Sequence, residues 1–321
     1  MSPTAPVPAP GSPPDPRSGR NSAPVPASVP AGSRRRIDTS KAHPARVYDV
    51  FLGGKDNYLA DRDAAAAALT ANPRGHLDVR HNRDFMRRAV KLAAEAGIRQ
   101  FLDIGAGLPT QQNVHEIAQR IAPDTRVVYV DNDPVVLVHA QALLTSGPEG
   151  RTDYVEADLR DPAAILTEAR RTLDFDRPVA LVLAAVLHFI EDDEAYGIVE
   201  QLLGALPSGS HLVLSHLSAD MNPVPIGKVA DTFRKRGFSF VLRPRAAIER
   251  FVTGNGLEPL APGVVAVHRW RPDHVPDTAR TEAPDATFVA GLEELDRTRY
   301  ADIGEVTDRD INVYAVVARK P

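Results

Sequence analysis

The stretch Phe101-Leu102-Asp103-Ile104-Gly105-Ala106-Gly107, with its continuation to Asp131, constrains this chain more than any other segment. Residues 101–104 are apolar, bounded by glycine and too few for a helix, so they read as a short buried strand. Gly105-Ala106-Gly107 then makes a tight turn where a ligand can approach the backbone, because glycine carries no Cβ. From Leu108 to Ile121 the spacing is helical, with Val114, Ile117, Ala118 and Ile121 on one stripe. Val127 to Val130 is a second buried strand, and it ends in Asp131-Asn132-Asp133. Strand, glycine turn, helix and strand make a nucleotide-binding βαβ unit. An acid at the second strand end can accept hydrogen bonds from both ribose hydroxyls.

Two cofactor classes use this geometry. Nicotinamide and flavin enzymes seat a pyrophosphate and usually carry G-x-G-x-x-G, whereas here the third glycine is missing: the turn reads Gly105-Ala106-Gly107-Leu108-Pro109-Thr110. Asp103 stands two residues before the first glycine. A diphosphate gains nothing from a nearby carboxylate, but the α-ammonium of S-adenosylmethionine (SAM) does. The arrangement therefore favours SAM over a dinucleotide.

Composition narrows the rest. The 321 residues suffice for one large domain or two modest ones, and 43% hydrophobic residues supply a core. A net charge of −4 speaks against a general nucleic-acid or membrane-surface binder. The absence of cysteine excludes disulfides, thiolate metal sites and cysteine nucleophiles, and fits a reducing, cytoplasmic setting. No group of residues suggests a metal site. The longest apolar run, Val179 to Leu187, is too short to span a bilayer.

Residues 1–36 are rich in Pro, Ala, Ser and Gly and are expected to be a disordered tail. Residues 37–98 are expected to form an N-terminal helical cap. Its first part concentrates Arg46, Tyr48, Gly53, Gly54, Asp56 and Tyr58 without a clean period. One reading is a lid whose aromatic and charged groups face a ligand. The other is a fixed pair of helices in which the glycines serve only the turn. We expect the lid. Helices follow over 61–70 and 75–96, the second carrying Asn82 and Arg83, an arginine able to reach a carboxylate bidentately. Beyond the βαβ unit the pattern predicts a helix over 134–144, a strand over 152–157 and a helix over 162–171 capped by Asp161. Asp158 directly follows that strand, where it can accept from the adenine amine. A strand over 179–187 leads into His188, at the carboxyl end of a central strand where ligands bind in such sheets. Helix 193–206, strand 211–217, helices 225–236 and 246–252, a strand within 257–270 and a last strand over 311–318 complete the pattern. An acidic insertion at about 271–310 interrupts it.

The segments ARVYDVFLGGKDNY at 45–58, RQFLDIGAGLPTQQNVHE at 99–116, VVYVDNDPVVLVHA at 127–140, ADLRDP at 157–162, PVALVLAAVLHFI at 178–190 and GSHLVLSH at 209–216 resemble the actinobacterial S-adenosyl methyltransferase family, a branch of the class I SAM-dependent methyltransferases once grouped as a domain of unknown function. That resemblance implies an α/β, Rossmann-like sheet of seven strands in the order 3-2-1-4-5-7-6 with the last strand antiparallel, a SAM-binding domain over 99–321, and S-adenosylhomocysteine as product. By motif it implies that Asp103, Gly105 and Gly107 hold the methionine end, Asp131 the ribose, Asn132, Asp158 and Leu159 the adenine, and that Ala184 lies beneath the cofactor. His188 is the candidate base, with His216 a second; a histidine merely packed against the cofactor is the plain alternative. The acceptor is expected to be a small molecule methylated on oxygen or nitrogen. The Asn/Asp-Pro-Pro-aromatic motif used on amino nitrogens is absent after strand four. A non-catalytic SAM- or S-adenosylhomocysteine-binding regulator and an NAD-dependent oxidoreductase are the alternatives.

Overall fold

The computed structural model describes residues 38–109, 112–143, 146–272, 287, 290–291, 295, 297 and 306–321. The strands are β1 (Gln100–Ile104), β2 (Arg126–Asp131), β3 (Arg151–Glu156), β4 (Ala180–Ala184), β5 (His211–Leu217), β6 (Glu258–Pro259), β7 (Val265–Ala266) and β8 (Val313–Arg319). They form one sheet in the order β3-β2-β1-β4-β5-β8-β6, with β7 also on β8. β1 to β5 are mutually parallel, and β8 runs antiparallel between β5 and β6. This is the expected class I order, with one difference: the sixth strand is split into β6 and β7. Leu260 N–H still donates to Val317 O at 2.8 Å, but Pro262 has no N–H to give and Gly263 turns into the left-handed region at φ 81°. Pairing resumes only at Val265, opposite Ala315.

Side-chain alternation in the central strands builds two cores. Leu102, Ile104, Leu181, Leu183, Leu212 and Leu214 point to one face, against α6 (Pro162–Ala169), α7 (Asp192–Gly204) and α9 (Arg245–Thr253). Phe101, Val127, Tyr129, Val182 and Val213 point to the other, against α3 (Gly75–Glu95) and α4 (Val114–Ile121). Burial on both faces is why these strands read as continuous apolar runs. A third core lies off the sheet. There α1 (Pro44–Leu52), α2 (Leu59–Ala71) and α8 (Pro223–Arg234) join Val47, Phe51, Ala65, Ala68, Ile226 and Phe233.

Several boundaries shift for local reasons. The helix expected from Leu108 begins at Val114, because Asn113 caps it and its backbone N–H is taken by Glu116 Oε2 at 2.7 Å. β4 stops at Ala184: Ala185 sits at φ 55°, and a 3₁₀ turn over Leu187–Phe189 follows. Asp161 caps α6 as expected, accepting from Ala164 N–H at 3.0 Å. α5 (Pro134–Leu143) follows β2, and the chain ends in β8. The tail at 1–36 lies outside the described residues, as does most of the 271–310 insertion. Among the described residues no helix is long and apolar enough to cross a membrane.

Candidate functional site

The carboxyl ends of β1, β2 and β4 open into a cavity of about 440 Å³. Asp103, Gly105, Gly107, Asp131, Asn132, Asp158, Leu159, Ala184 and His188 all line it, as do Tyr48 and Arg83. Residues from six segments of sequence thus meet at the place where an open α/β sheet binds ligands.

The glycine turn is held from below and open above. Gly105 and Ala106 N–H both donate to Val130 O, at 2.8 and 3.1 Å. Gly105 sits at φ 74°, and a Cβ there would come within 2.6 Å of Val186 Cγ2. Gly107, at φ 67°, has no atom of the described residues, its own chain neighbours aside, within 4 Å of where its Cβ would be. A ligand can therefore rest directly on that backbone.

Asp131 braces the turn. Its Oδ2 accepts from Gly107 N–H and its Oδ1 from Asp133 N–H, both at 2.9 Å. Each oxygen keeps a lone pair for a further donor. Burial pushes its carboxyl up, and the two N–H groups oppose that. Asp103 is pushed up to about 7: burial dominates, the Arg83 guanidinium opposes it, and the Asp131 carboxylate adds to it. Arg83 also donates to Asn113 Oδ1 at 3.2 Å. A buried acid with this proton affinity sits ready for a cationic group. At the third strand end, Asn132 Nδ2 donates to Asp158 Oδ2 at 3.4 Å and Arg160 N–H to Oδ1 at 2.9 Å. Burial raises Asp158, but these donors and the Arg160 charge outweigh it and hold the carboxyl below its ordinary value.

His188 is 4% exposed, and its Nδ1 has no hydrogen-bond partner. Its ring packs 4.3 Å from Phe189 and 5.1 Å from Phe240, centroid to centroid. Burial, aided by His216 and Arg243, drives its proton affinity well below the ordinary histidine value, so the ring is neutral. His216 is neutral too, at about 3, through burial and the Arg243 charge. Its Nδ1–H donates to Leu217 O at 2.7 Å, which leaves Nε2 to accept from Arg243 Nη1 at 2.7 Å. His216 is thus committed to structure.

Helix α1 covers the cavity. Tyr48 Oη donates to Val79 O at 3.1 Å and accepts from Asn82 Nδ2 at 3.0 Å. Asn82 Oδ1 accepts from Ser215 Oγ, which itself accepts from Ala185 N–H at 2.9 Å. One chain of bonds therefore ties α1 to α3, to β5 and to the loop after β4. The other residues singled out in the cap do not line the cavity. Arg46 Nε lies 3.2 Å from Asp133 Oδ2 and 3.6 Å from Asp61 Oδ1, and the guanidinium stands over the Tyr58 ring. Gly53 closes α1 at φ 89°, and Gly54 lies against the Asp49 carboxylate. That carboxylate also accepts from Asp56 N–H at 3.1 Å. Asp56 itself faces His139 at 3.5 Å.

Sequence reasoning missed three parts of the site. Asp78 lines the cavity, and its oxygens accept from Asn312 N–H at 2.6 Å and Asn312 Nδ2 at 2.9 Å. Arg243, 1% exposed, donates to Leu187 O, Ile190 O and Asp192 Oδ1 and so fixes the loop that carries His188. Phe189, Phe233, Phe238 and Phe240 gather on one wall. The helical period marks Phe233 as a core residue, but nothing local in the sequence joins these positions.

The sheet order and the cavity at its strand ends define the class I SAM-dependent methyltransferase fold. Within that class, the S-adenosyl methyltransferase family model matches residues 30–321, and the chain belongs to that family. The cofactor of that family is SAM. A DUF574 family protein from Streptomyces avermitilis MA-4680 is 49% identical, with a TM-score of 0.77 over 89% of this chain and 100% of that one. A candidate methyltransferase from Thermobifida fusca YX is 38% identical, with a TM-score of 0.73 over 88% of this chain and 97% of that one. A candidate S-adenosyl-L-methionine-dependent methyltransferase from Mycobacterium marinum is 30% identical over 194 residues, 58% of this chain. The match spans 57% of that relative's length.

Proposed function

We propose that the protein transfers a methyl group from SAM to an oxygen or nitrogen of a small molecule held in the same cavity. The observation that carries this is the continuity of that cavity. It begins at Asp103, the glycine turn, Asp131 and Asp158, and runs on past His188 to a separate apolar wall. A protein that only sensed SAM would need no second compartment.

The residues present fit the cofactor. Asp103, buried, would take the α-ammonium, and Arg83 beside it the carboxylate. The open backbone at Gly107 would meet the methionine chain. Asp131 would accept from the ribose hydroxyls. Asn132, Asp158 and Leu159 would hold the adenine, with Ala184 beneath. When bound, SAM supplies an electrophilic methyl carbon: the acceptor's lone pair forms the new bond to it, the carbon–sulfur pair returns to sulfur, and S-adenosylhomocysteine leaves.

The chain's own work is positioning, exclusion of water and removal of one proton. The helices over the strand ends exclude water. His188, neutral, would take the acceptor's proton on a ring nitrogen. Asp133 and Asp61 hold Arg46, so that residue anchors the cap to the end of β2 and would not meet the ligand.

The test is turnover. Purified protein given SAM and a pool of small-molecule acceptors should release S-adenosylhomocysteine. His188→Gln should slow that release by at least about 100-fold while leaving the affinity for S-adenosylhomocysteine unchanged. Tight binding of S-adenosylhomocysteine with no turnover on any acceptor would instead favour a SAM-sensing protein.

A further inference from the structure

The half of the cavity beyond His188 has its own chemistry. Its wall is made by Phe51 from α1, Phe189 from the turn after β4, Phe233 from α8, and Phe238 and Phe240 from the loop that follows. The rings are arranged as aromatic groups prefer. Phe189 and Phe240 meet edge to face at 5.5 Å and 85°, while Phe233 and Phe240 stack at 4.9 Å and 27°. Tyr48 spends its hydroxyl on Val79 and Asn82, so what it offers the cavity is its ring.

Among the described residues that line this half, charge is absent in any usable form. The two arginines that line the cavity belong to the cofactor half. Arg83 stands by Asp103 and Asn113, and Arg160 bonds Asp158, Glu194 and Phe189 O. The carboxyl here, Asp78, has both oxygens on Asn312, and burial raises it to about 7. An anionic acceptor would find no cation and would face this acid. A protonated amine would lose its hydration to a wall of phenylalanines, which is costly.

We infer that the acceptor is a neutral, planar aromatic molecule bearing the hydroxyl or ring nitrogen to be methylated, seated among Phe189, Phe233, Phe238 and Phe240. This rests on the SAM-dependent reading above and names the substrate class of that site. The base agrees with it. A buried, weakly basic His188 is poorly matched to an aliphatic alcohol, but a phenolic proton, with a pKa of about 10, is far more acidic than an alkyl one. Aromatic walls also discriminate by more than area. Each edge-to-face or offset contact adds about 0.5–1.5 kcal/mol beyond burial, so two or three contacts separate an aromatic ring from its saturated analogue by roughly tenfold or more.

Three probes that share one carbon skeleton test this by calorimetry: 2-naphthol, decahydro-2-naphthol and 2-naphthyl phosphate. Each is titrated into the full chain with and without saturating S-adenosylhomocysteine. The expected result is one 2-naphthol per chain, binding at least about tenfold tighter than the saturated alcohol, with no binding of the phosphate ester. Phe238→Ala should weaken 2-naphthol by at least about fivefold, and Phe238→Tyr should restore it. Phe238 is half-buried within the loop between α8 and α9, so that variant is chosen to keep the fold, and S-adenosylhomocysteine binding checks that it does. Equal affinity for the aromatic and saturated alcohols, tighter binding of the phosphate ester, or no 2-naphthol binding to a protein that binds S-adenosylhomocysteine would each overturn the inference. Binding of 2-naphthol with no S-adenosylhomocysteine binding would strike the cofactor reading and leave the aromatic slot standing.

Discussion

Asp103 couples ligand binding to pH. Its proton affinity in the folded protein is raised from 3.8 to about 7, chiefly by burial. In the free protein the sign is that of a raised acid. The stability it contributes is fully present below 3.8 and is lost as pH rises through about 7. Affinity for a ligand bearing an α-ammonium runs the other way, because the ionised carboxylate is the form that pairs. Calorimetry between pH 5.5 and 7 should show S-adenosylhomocysteine binding tightening as pH rises, by up to about tenfold per unit. The slope should vanish in Asp103→Asn. A flat profile in the native protein would mean that the ammonium lies elsewhere. Asp131 makes a second prediction at this scale. A carboxylate accepting from ribose hydroxyls forms charge-assisted bonds, each worth about 1.5–3 kcal/mol. Asp131→Asn keeps the volume and one acceptor, and should weaken S-adenosylhomocysteine at least about tenfold. Unchanged affinity would remove this strand end from the ribose.

At the scale of elements the cap decides how the site is covered. α1 buries Val47, Val50 and Phe51 in the core it shares with α2 and α8, and Tyr48 is bonded to α3. These contacts describe a roof that is already in place, more than a flap awaiting ligand. Hydrogen exchange over residues 46–52 should therefore be slow in the free protein and change little with S-adenosylhomocysteine. Fast exchange that slows on binding would restore the closing lid. Phe51→Ala removes a large side chain from the cap core and should cost about 3–5 kcal/mol of stability by denaturant unfolding, with the sheet retained. A loss below about 1 kcal/mol would show that the cap packs loosely. The cap was the least legible part of the chain. β1, the glycine turn and the acid ending β2 lie within one short window, and their residue types state their backbone needs directly. The partners of Tyr48 are instead 31 and 34 residues away, and Arg46 closes on Asp133 from another element altogether. A period can mark which residues of a helix are apolar, but it cannot say which distant element they cover.

For the whole molecule, the alternation of strands and helices indicates a parallel α/β sheet, the family resemblance implies its strand order, and the cofactor half follows from the strand ends. The acceptor half does not. Its phenylalanines come from α1, from the turn after β4, from the end of α8 and from the loop that follows it, and only the folded chain brings them to one wall. The break in the sixth strand was hidden for the opposite reason. It depends on Pro262 and Gly263 within a run that otherwise pairs with β8. The central claim is that the strand ends of β1, β2 and β3 form a SAM site that opens into an acceptor compartment. Unfolding of the full chain, followed with S-adenosylhomocysteine and separately with NAD, tests the first part most directly. At 100 times its dissociation constant, S-adenosylhomocysteine should raise the unfolding free energy by about 2.7 kcal/mol, with NAD leaving it unmoved. A transition unmoved by millimolar S-adenosylhomocysteine and shifted by NAD would contradict the account.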